Sequence, residues 1–123
     1  MQISTKFGQI RIGEKIYNFD VIVTADLSII KRPKYLSKHK KKQYGHTPLT
    51  KEEIEYILNL TEKPEIIIIG CGQYGSLPIE EEAKELLRSL KINVIIQKTP
   101  EAIQTFSNYV KRKNILGIFH VTC

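Results

Sequence analysis

Apolar and polar positions change their period along this chain, and the change predicts two kinds of element. Phe7-Gly8-Gln9-Ile10-Arg11-Ile12 alternates, as a strand with one buried face does, and Gly13-Glu14 can turn the chain. Ile16 to Phe19 and Val21 to Val23 read as further short strands, with another near Ser28-Ile29-Ile30. Pro33 cannot donate to a ladder, so residues 33 to 47 are predicted as loop.

Beyond residue 50 the period lengthens. Thr50-Lys51-Glu52-Glu53 has the form of a capping box, with Thr50 as N-cap and Glu53 reaching back, and Ile54, Ile57 and Leu58 supply an apolar face. Pro64 is expected to stop that helix, and Glu65 to Ile69 reads as a strand buried on both sides. Pro78 is expected to open the next helix, where Ile79, Ala83, Leu86, Leu87 and Leu90 form one stripe and Glu80, Glu81 and Glu82 favour the N-terminal dipole. Ile92 to Ile96 is a strand. Thr99 and Pro100 mark a further helix as N-cap and first position, with Ala102, Ile103, Phe106, Tyr109 and Val110 inward, and Ile115 to Val121 is the final strand. Strands alternating with helices over short links require crossovers and a parallel core. The predicted fold is a single three-layer α/β domain over residues 1–123. It has a mixed central sheet, a parallel βαβαβ core and an N-terminal antiparallel hairpin that extends the sheet or packs beside it.

Composition agrees with a globular domain: 123 residues, 41% hydrophobic and 26% charged, which argues against a disordered or cysteine-framed chain. The formal net charge of +6 is concentrated. Lys31, Arg32, Lys34, Lys38, Lys40, Lys41 and Lys42 place seven basic residues in twelve positions; taking these seven from the 19 leaves 12 against 13 acidic groups. The chain is a near-neutral domain with one basic stretch, which attracts anions better than dispersed charge. Two cysteines make no disulfide framework, no N-terminal stretch reads as a secretory signal, and Ile66 to Ile69 is far too short to span a membrane. These features favour a cytoplasmic address and no membrane partner.

In such folds ligands bind beyond the carboxyl ends of the strands. The segments expected there are Gly70 to Ser76, Gln97-Lys98-Thr99 and Thr122-Cys123, together with helix N-termini that offer free amides. One rim holding His46, Cys71, Thr99 and Cys123 would be an anion-accepting mouth, with Gly70, Gly72, Gln73, Gly75, Lys98, Thr99 and His46 as ligand-binding residues. The plainer alternative is an empty α/β edge. Gly70-Cys71-Gly72-Gln73-Tyr74-Gly75 fits G-x-G-x-x-G after a strand, but Leu77-Pro78 delays the helix and Gln97-Lys98 stand where a ribose-binding acid belongs. A dinucleotide is therefore not expected, nor any other cofactor. Cys71 could become a nucleophile if Lys98 and helix N-termini acidified it and His46 or His120 served as base; otherwise it is a small buried residue. No metal-ligand spacing joins the histidines and cysteines, so no metal is expected. Lys38, Lys40, Lys41 and Lys42 could contact nucleic acid, with Tyr35 and Tyr44 for stacking, but no nucleic-acid motif accompanies them and a solvated loop is the plainer reading. A protein partner and self-association stay open.

Several segments together carry a family resemblance. They are Asp20-Val21-Ile22-Val23, Ser28-Ile29-Ile30 with Lys31-Arg32-Pro33-Lys34, Tyr44-Gly45-His46, the isoleucine-rich strand with its glycine loop, Thr99-Pro100-Glu101-Ala102 and the closing Phe119-His120-Val121-Thr122-Cys123. In that order they resemble the small Mth-type domain family of largely unknown function. That family includes the adipogenesis-associated Mth domain protein and, distantly, a mitochondrial respiratory complex I assembly factor. The resemblance spans essentially the whole chain. It implies a three-layer α/β domain with a mixed sheet, brings no catalytic residues, and suggests that Gly70, Gly72, His46, His120, Thr122 and Cys123 frame a common site. The tryptophan expected near the basic segment in bacterial relatives is absent.

Overall fold

A computed structural model describes residues 2–123. Strands β1 (Ile3–Lys6), β2 (Gln9–Ile12) and β3 (Lys15–Tyr17) pair in sequence as an antiparallel sheet of their own. The expected hairpin is thus a three-strand meander. Its turns fall at Gly8 and Gly13, whose φ angles of 87° and 62° suit glycine. The alternation read over residues 7–12 begins with a turn rather than a strand, and β2 buries Ile10 and Ile12.

The second sheet contains β4 (Val21–Val23), β5 (Ile29–Lys31), β6 (Ile66–Cys71), β7 (Asn93–Gln97) and β8 (Ile115–His120), in the order β5-β4-β8-β6-β7. β6 runs parallel to both β7 and β8, whereas β4 is antiparallel to β8 and β5. The helices are α1 (Lys41–Tyr44), α2 (Lys51–Leu58), α3 (Glu81–Ser89) and α4 (Thr99–Tyr109). α3 joins β6 to β7 on one side, and α4 returns from β7 to β8 on the other. Crossovers of one hand in opposite directions place these helices on opposite faces. The alternating residues of β6 show it: Ile67 and Ile69 pack with Ala83 and Leu87 of α3, while Ile66 and Ile68 pack with Ala102, Ile103 and Phe106 of α4. The meander closes over the α4 face, with Ile10 and Ile12 in the same cluster.

Three local expectations shift. α3 starts at Glu81, not Pro78, because residues 78–80 lie extended against Leu49: Leu49 donates to the Pro78 carbonyl at 2.9 Å and the Glu80 amide to Leu49 at 3.0 Å. α2 ends at Leu58, well before Pro64. The segment read as loop holds two 3-10 turns, Lys34–Leu36 and Lys38–Lys40, followed by α1. Among the described residues no helix is long and apolar enough to cross a membrane.

Gly117 lets two rings meet at the centre of the α4 face. Phe106 and Phe119 are fully buried and pack edge to face with centroids 5.6 Å apart. A Cβ at Gly117 would lie 2.6 Å from Phe119 Cε2 and 3.0 Å from Phe106 Cδ2. Gly117→Ala is expected to cost about 1–3 kcal/mol through overpacking, read as a lower urea midpoint with an unchanged slope.

Candidate functional site

A chain of buried polar groups runs from the first turn of α2 to the end of β8. It starts with Arg32, the one arginine of the basic stretch, which is 3% exposed. Its Nε and Nη2 donate to the two oxygens of Glu53 at 2.7 and 3.0 Å, its Nη1 to Asp20 Oδ2 at 2.9 Å, and its Nη2 also to the Pro48 carbonyl at 2.9 Å. Glu53 further accepts from the Ser37 hydroxyl at 2.5 Å. Thr50 caps α2 by accepting from the Glu53 amide, as its spacing predicts, but the Glu53 carboxylate does not reach back to complete a capping box. It turns instead to Arg32, because a buried guanidinium needs a bidentate anion.

Asp20 continues the chain. Its Oδ2 faces His120 Nδ1 at 2.8 Å, and its Oδ1 accepts from the Val121 amide at 2.8 Å. Burial pushes the Asp20 carboxyl up, but the bond and charge of His120, the Val121 amide and Arg32 together outweigh it and hold the group below the ordinary carboxylate range. His120 Nε2 lies 3.2 Å from the Thr122 hydroxyl, and the His120 carbonyl accepts from Thr99 Oγ1 at 2.7 Å. Thr99 Oγ1 in turn accepts from the Gly72 amide at 2.9 Å, which links the chain to the glycine loop.

That loop is closed on its own protein. The Gln73 amide donates to the Thr122 carbonyl at 2.7 Å, and the Tyr74 and Ser76 amides converge on the Cys123 carbonyl at 2.9 and 3.1 Å. Leu77 donates to the Cys71 carbonyl at 2.9 Å. Gly72 has φ +105°, and a Cβ there would sit 2.1 Å from the Cys123 carbonyl carbon and 2.9 Å from His120 Cδ2. Gly70 admits α4 closely, since its Cβ would lie 2.9 Å from Thr99 Oγ1. The amides expected to be free donors are therefore bonded within the chain. The same holds at α2, where Glu80 Oε1 accepts from the Lys51 amide at 3.0 Å while its other oxygen pairs with Lys40. At α4 the Thr99 amide donates to the Gly72 carbonyl at 3.0 Å, and the Thr99 side chain spans β6 and β8 instead of capping its own helix.

Of the rim predicted from the sequence, Cys71, Gly72, Thr99, Thr122 and Cys123 do come together. Lys98 is exposed, and its stem runs beside Gly75, 3.5 Å from the Cβ position there. His46 is exposed on the segment before α2, with no side-chain bond to the loop among the described residues. Cys71 donates its thiol to the Gln97 carbonyl at 3.1 Å, and burial pushes its pKa up despite Lys98, the reverse of nucleophile activation. His120, predicted as a core histidine or a base for Cys71, is bound to Asp20 and Thr122. Lys38, His39, Lys41, Lys42 and Gly45 border an open depression of about 600 Å³. Asp20, Arg32 and Glu53 were not expected as a cluster. The only available signals were an arginine among lysines directly after a strand and an aspartate directly before one.

The meander contributes a further wall. Gly8 donates to the Val121 carbonyl at 2.8 Å and Gln73 Nε2 to Thr5 Oγ1 at 3.0 Å. These bonds bring Phe7 against Tyr74 with ring centroids 6.0 Å apart, although the two residues are 55% and 70% exposed.

A family model described as a protein of unknown function (DUF498/DUF598) matches residues 3–120. The chain is similar to the crystal structure of a conserved hypothetical protein from Pyrococcus horikoshii OT3, with 33% identity, a TM-score of 0.86 and 100% of both chains covered. It is also similar to a protein called MT938, at 30% identity and a TM-score of 0.77, covering 98% of this chain and 97% of that one. An outer membrane protein from Bartonella henselae shares the fold at 18% identity and a TM-score of 0.69, over 98% of this chain and 92% of that one. No curated protein matches the sequence.

Two outcomes follow from this geometry. Asp20 has a folded pKa below its unfolded value of about 4, so its stabilising share is complete above that value and is lost as pH falls through the folded one. Asp20→Asn is expected to flatten the acid limb of a stability-against-pH curve and, by leaving Arg32 short of a partner, to cost about 3–5 kcal/mol at neutral pH. Gly72→Ala is expected to lift residues 122–123 off the loop, so that the amides of Gln73, Tyr74 and Ser76 lose hydrogen-exchange protection while β6 keeps its own.

Proposed function

The chain belongs to the DUF498/DUF598 family of proteins of unknown function, and from that premise we propose that it is a binding domain whose carboxyl sheet edge docks a protein partner. The observation that carries this reading is the exposed Phe7–Tyr74 pair, with the Lys98 stem passing Gly75, the residue after Tyr74. Aromatic rings that touch each other yet stay mostly in water are poorly used by the monomer, and such residues anchor interfaces when a partner desolvates them. The expected partner presents an apolar side chain to the rings and an acidic group to Lys98. A small anionic ligand at the same edge is a narrower form of the reading. It is less favoured because the loop amides it would need are already bonded to residues 122 and 123. Resemblance to the Mth-type domains, with an assembly factor among their distant relatives, supports a partner role, and a cytoplasmic address fits two free cysteines. A second reading, polyanion binding by Lys38, Lys41 and Lys42, is favoured by the open depression they border; it requires affinity that falls steeply with salt.

A photocrosslinking residue at position 74 tests the main reading, with position 35 as control because Tyr35 is also exposed, at 64%, on the basic segment. One discrete protein adduct is expected from position 74 in cells of the source organism, and it should be lost in a Phe7→Ala/Lys98→Glu chain. Equal capture from both positions, or capture only of a second copy of this chain, overturns it.

A further inference from the structure

We propose that Thr122, His120 and Asp20 act as nucleophile, base and orienting carboxylate, and that the Thr122 hydroxyl takes an acyl group from an activated ester or thioester. The inference goes beyond partner docking and does not depend on it.

Asp20 is held charged by Arg32 and can only accept from His120, so in neutral His120 the proton lies on Nδ1. Nε2 then carries the free lone pair and faces Thr122 Oγ1 at 3.2 Å, which makes the hydroxyl the donor. This is the order of roles in a hydroxyl–imidazole–carboxylate triad, and geometry rather than sequence order is what identifies one. The fold sets each part separately. β8 ends at His120, β4 begins just after Asp20, and the Val121 amide fixes the second carboxylate oxygen at 2.8 Å, so the carboxylate cannot rotate away. Asp20 and His120 are 8% and 7% exposed, whereas Thr122 is half-buried.

The glycine loop lies beside it. The Tyr74 and Ser76 amides converge on a single main-chain oxygen, that of Cys123, adjacent in sequence to Thr122. Both donors are thereby engaged within the chain, so an acyl oxygen finds no free backbone pair at this edge. The acyl group approaches the half-buried Thr122 hydroxyl from solvent. Thr122 Oγ then bonds the acyl carbon, its proton passes to His120 Nε2, and the tetrahedral adduct collapses as the C–O or C–S bond to the leaving group breaks. The leaving alkoxide or thiolate takes the proton from Nε2, and water activated at the same nitrogen later hydrolyses the acyl-threonine. Thr122 and His120 are the catalytic residues, and Asp20 is a positioning residue.

A fluorophosphonate probe tests this on the full chain. It traps an activated hydroxyl by forming an O–P bond with loss of fluoride, which leaves with the hydroxyl proton. A single adduct mapped to Thr122 is expected. It should persist in Thr122→Ser, vanish in Thr122→Val, and form about a hundredfold more slowly in His120→Gln. Because His120 is buried and its replacement could perturb folding, the imidazole nitrogen shifts supply an independent reading. The intact protein should carry its proton on Nδ1, a reading taken on the unaltered chain that a loss of folding cannot imitate. Labelling of cysteine, lysine or tyrosine alone, no adduct, a rate indifferent to His120→Gln, or an Nε2 proton in the intact protein would each overturn the proposal.

Discussion

A guanidinium cannot leave water alone, and Arg32 has left it almost entirely. What surrounds it decides much of the molecule: Glu53 from α2, Asp20 from the entry to β4, and the Pro48 carbonyl from the segment between. A buried ion cluster of this sort gains little over well-packed apolar groups, but it tolerates no missing member. Its effect is therefore to fix arrangement. The basic segment must return to the body at Arg32, α2 must present its first turn to that point, and Asp20 must sit where β8 can reach it. Among the described residues no buried side-chain nitrogen or oxygen lacks a partner, so the cluster is complete as it stands.

The sequence made the layers legible because they rest on period. Ala83 and Leu87, like Ala102, Ile103 and Phe106, lie on the faces their spacing assigns them, and the isoleucines of β6 are buried on both sides as a central parallel strand requires. Boundaries were less legible where a distant segment overrode a local signal. Pro78 fits the first turn of a helix, yet Leu49 draws it into an extended bridge. Glu53 fits a capping box, yet Arg32 offers it a stronger partner. Neither competitor is visible within a local window. The polar chain itself was hidden for the same reason: Asp20 and His120 are separated by 100 positions, and only the antiparallel pairing of β4 with β8 makes them neighbours.

The glycine loop shows how a motif can be placed correctly and still be used differently. Its position after β6, its positive φ at Gly72 and its close approach to α4 all match what such a loop does around a ligand. The protein spends those amides on residues 122 and 123. The edge is thereby changed from a cup of free donors into a packed surface that carries an aromatic pair, a lysine stem and one half-buried hydroxyl. A glycine-rich turn is evidence of close backbone approach, and here the approaching backbone is the protein's own.

The position of β8 has a consequence for how this chain is made. It lies between β4 and β6, near the middle of the five-strand sheet, although both neighbours precede it in sequence. During synthesis β4, β5, β6 and β7 emerge with a gap where their shared neighbour belongs, and Asp20 waits for a histidine that the ribosome has not yet delivered. Native pairing at such long separation is slow, because much chain entropy is surrendered before the contacts repay it. The nascent domain should therefore stay open, with an unfilled sheet and Asp20 short of its histidine, until residues 115–121 have cleared the exit tunnel.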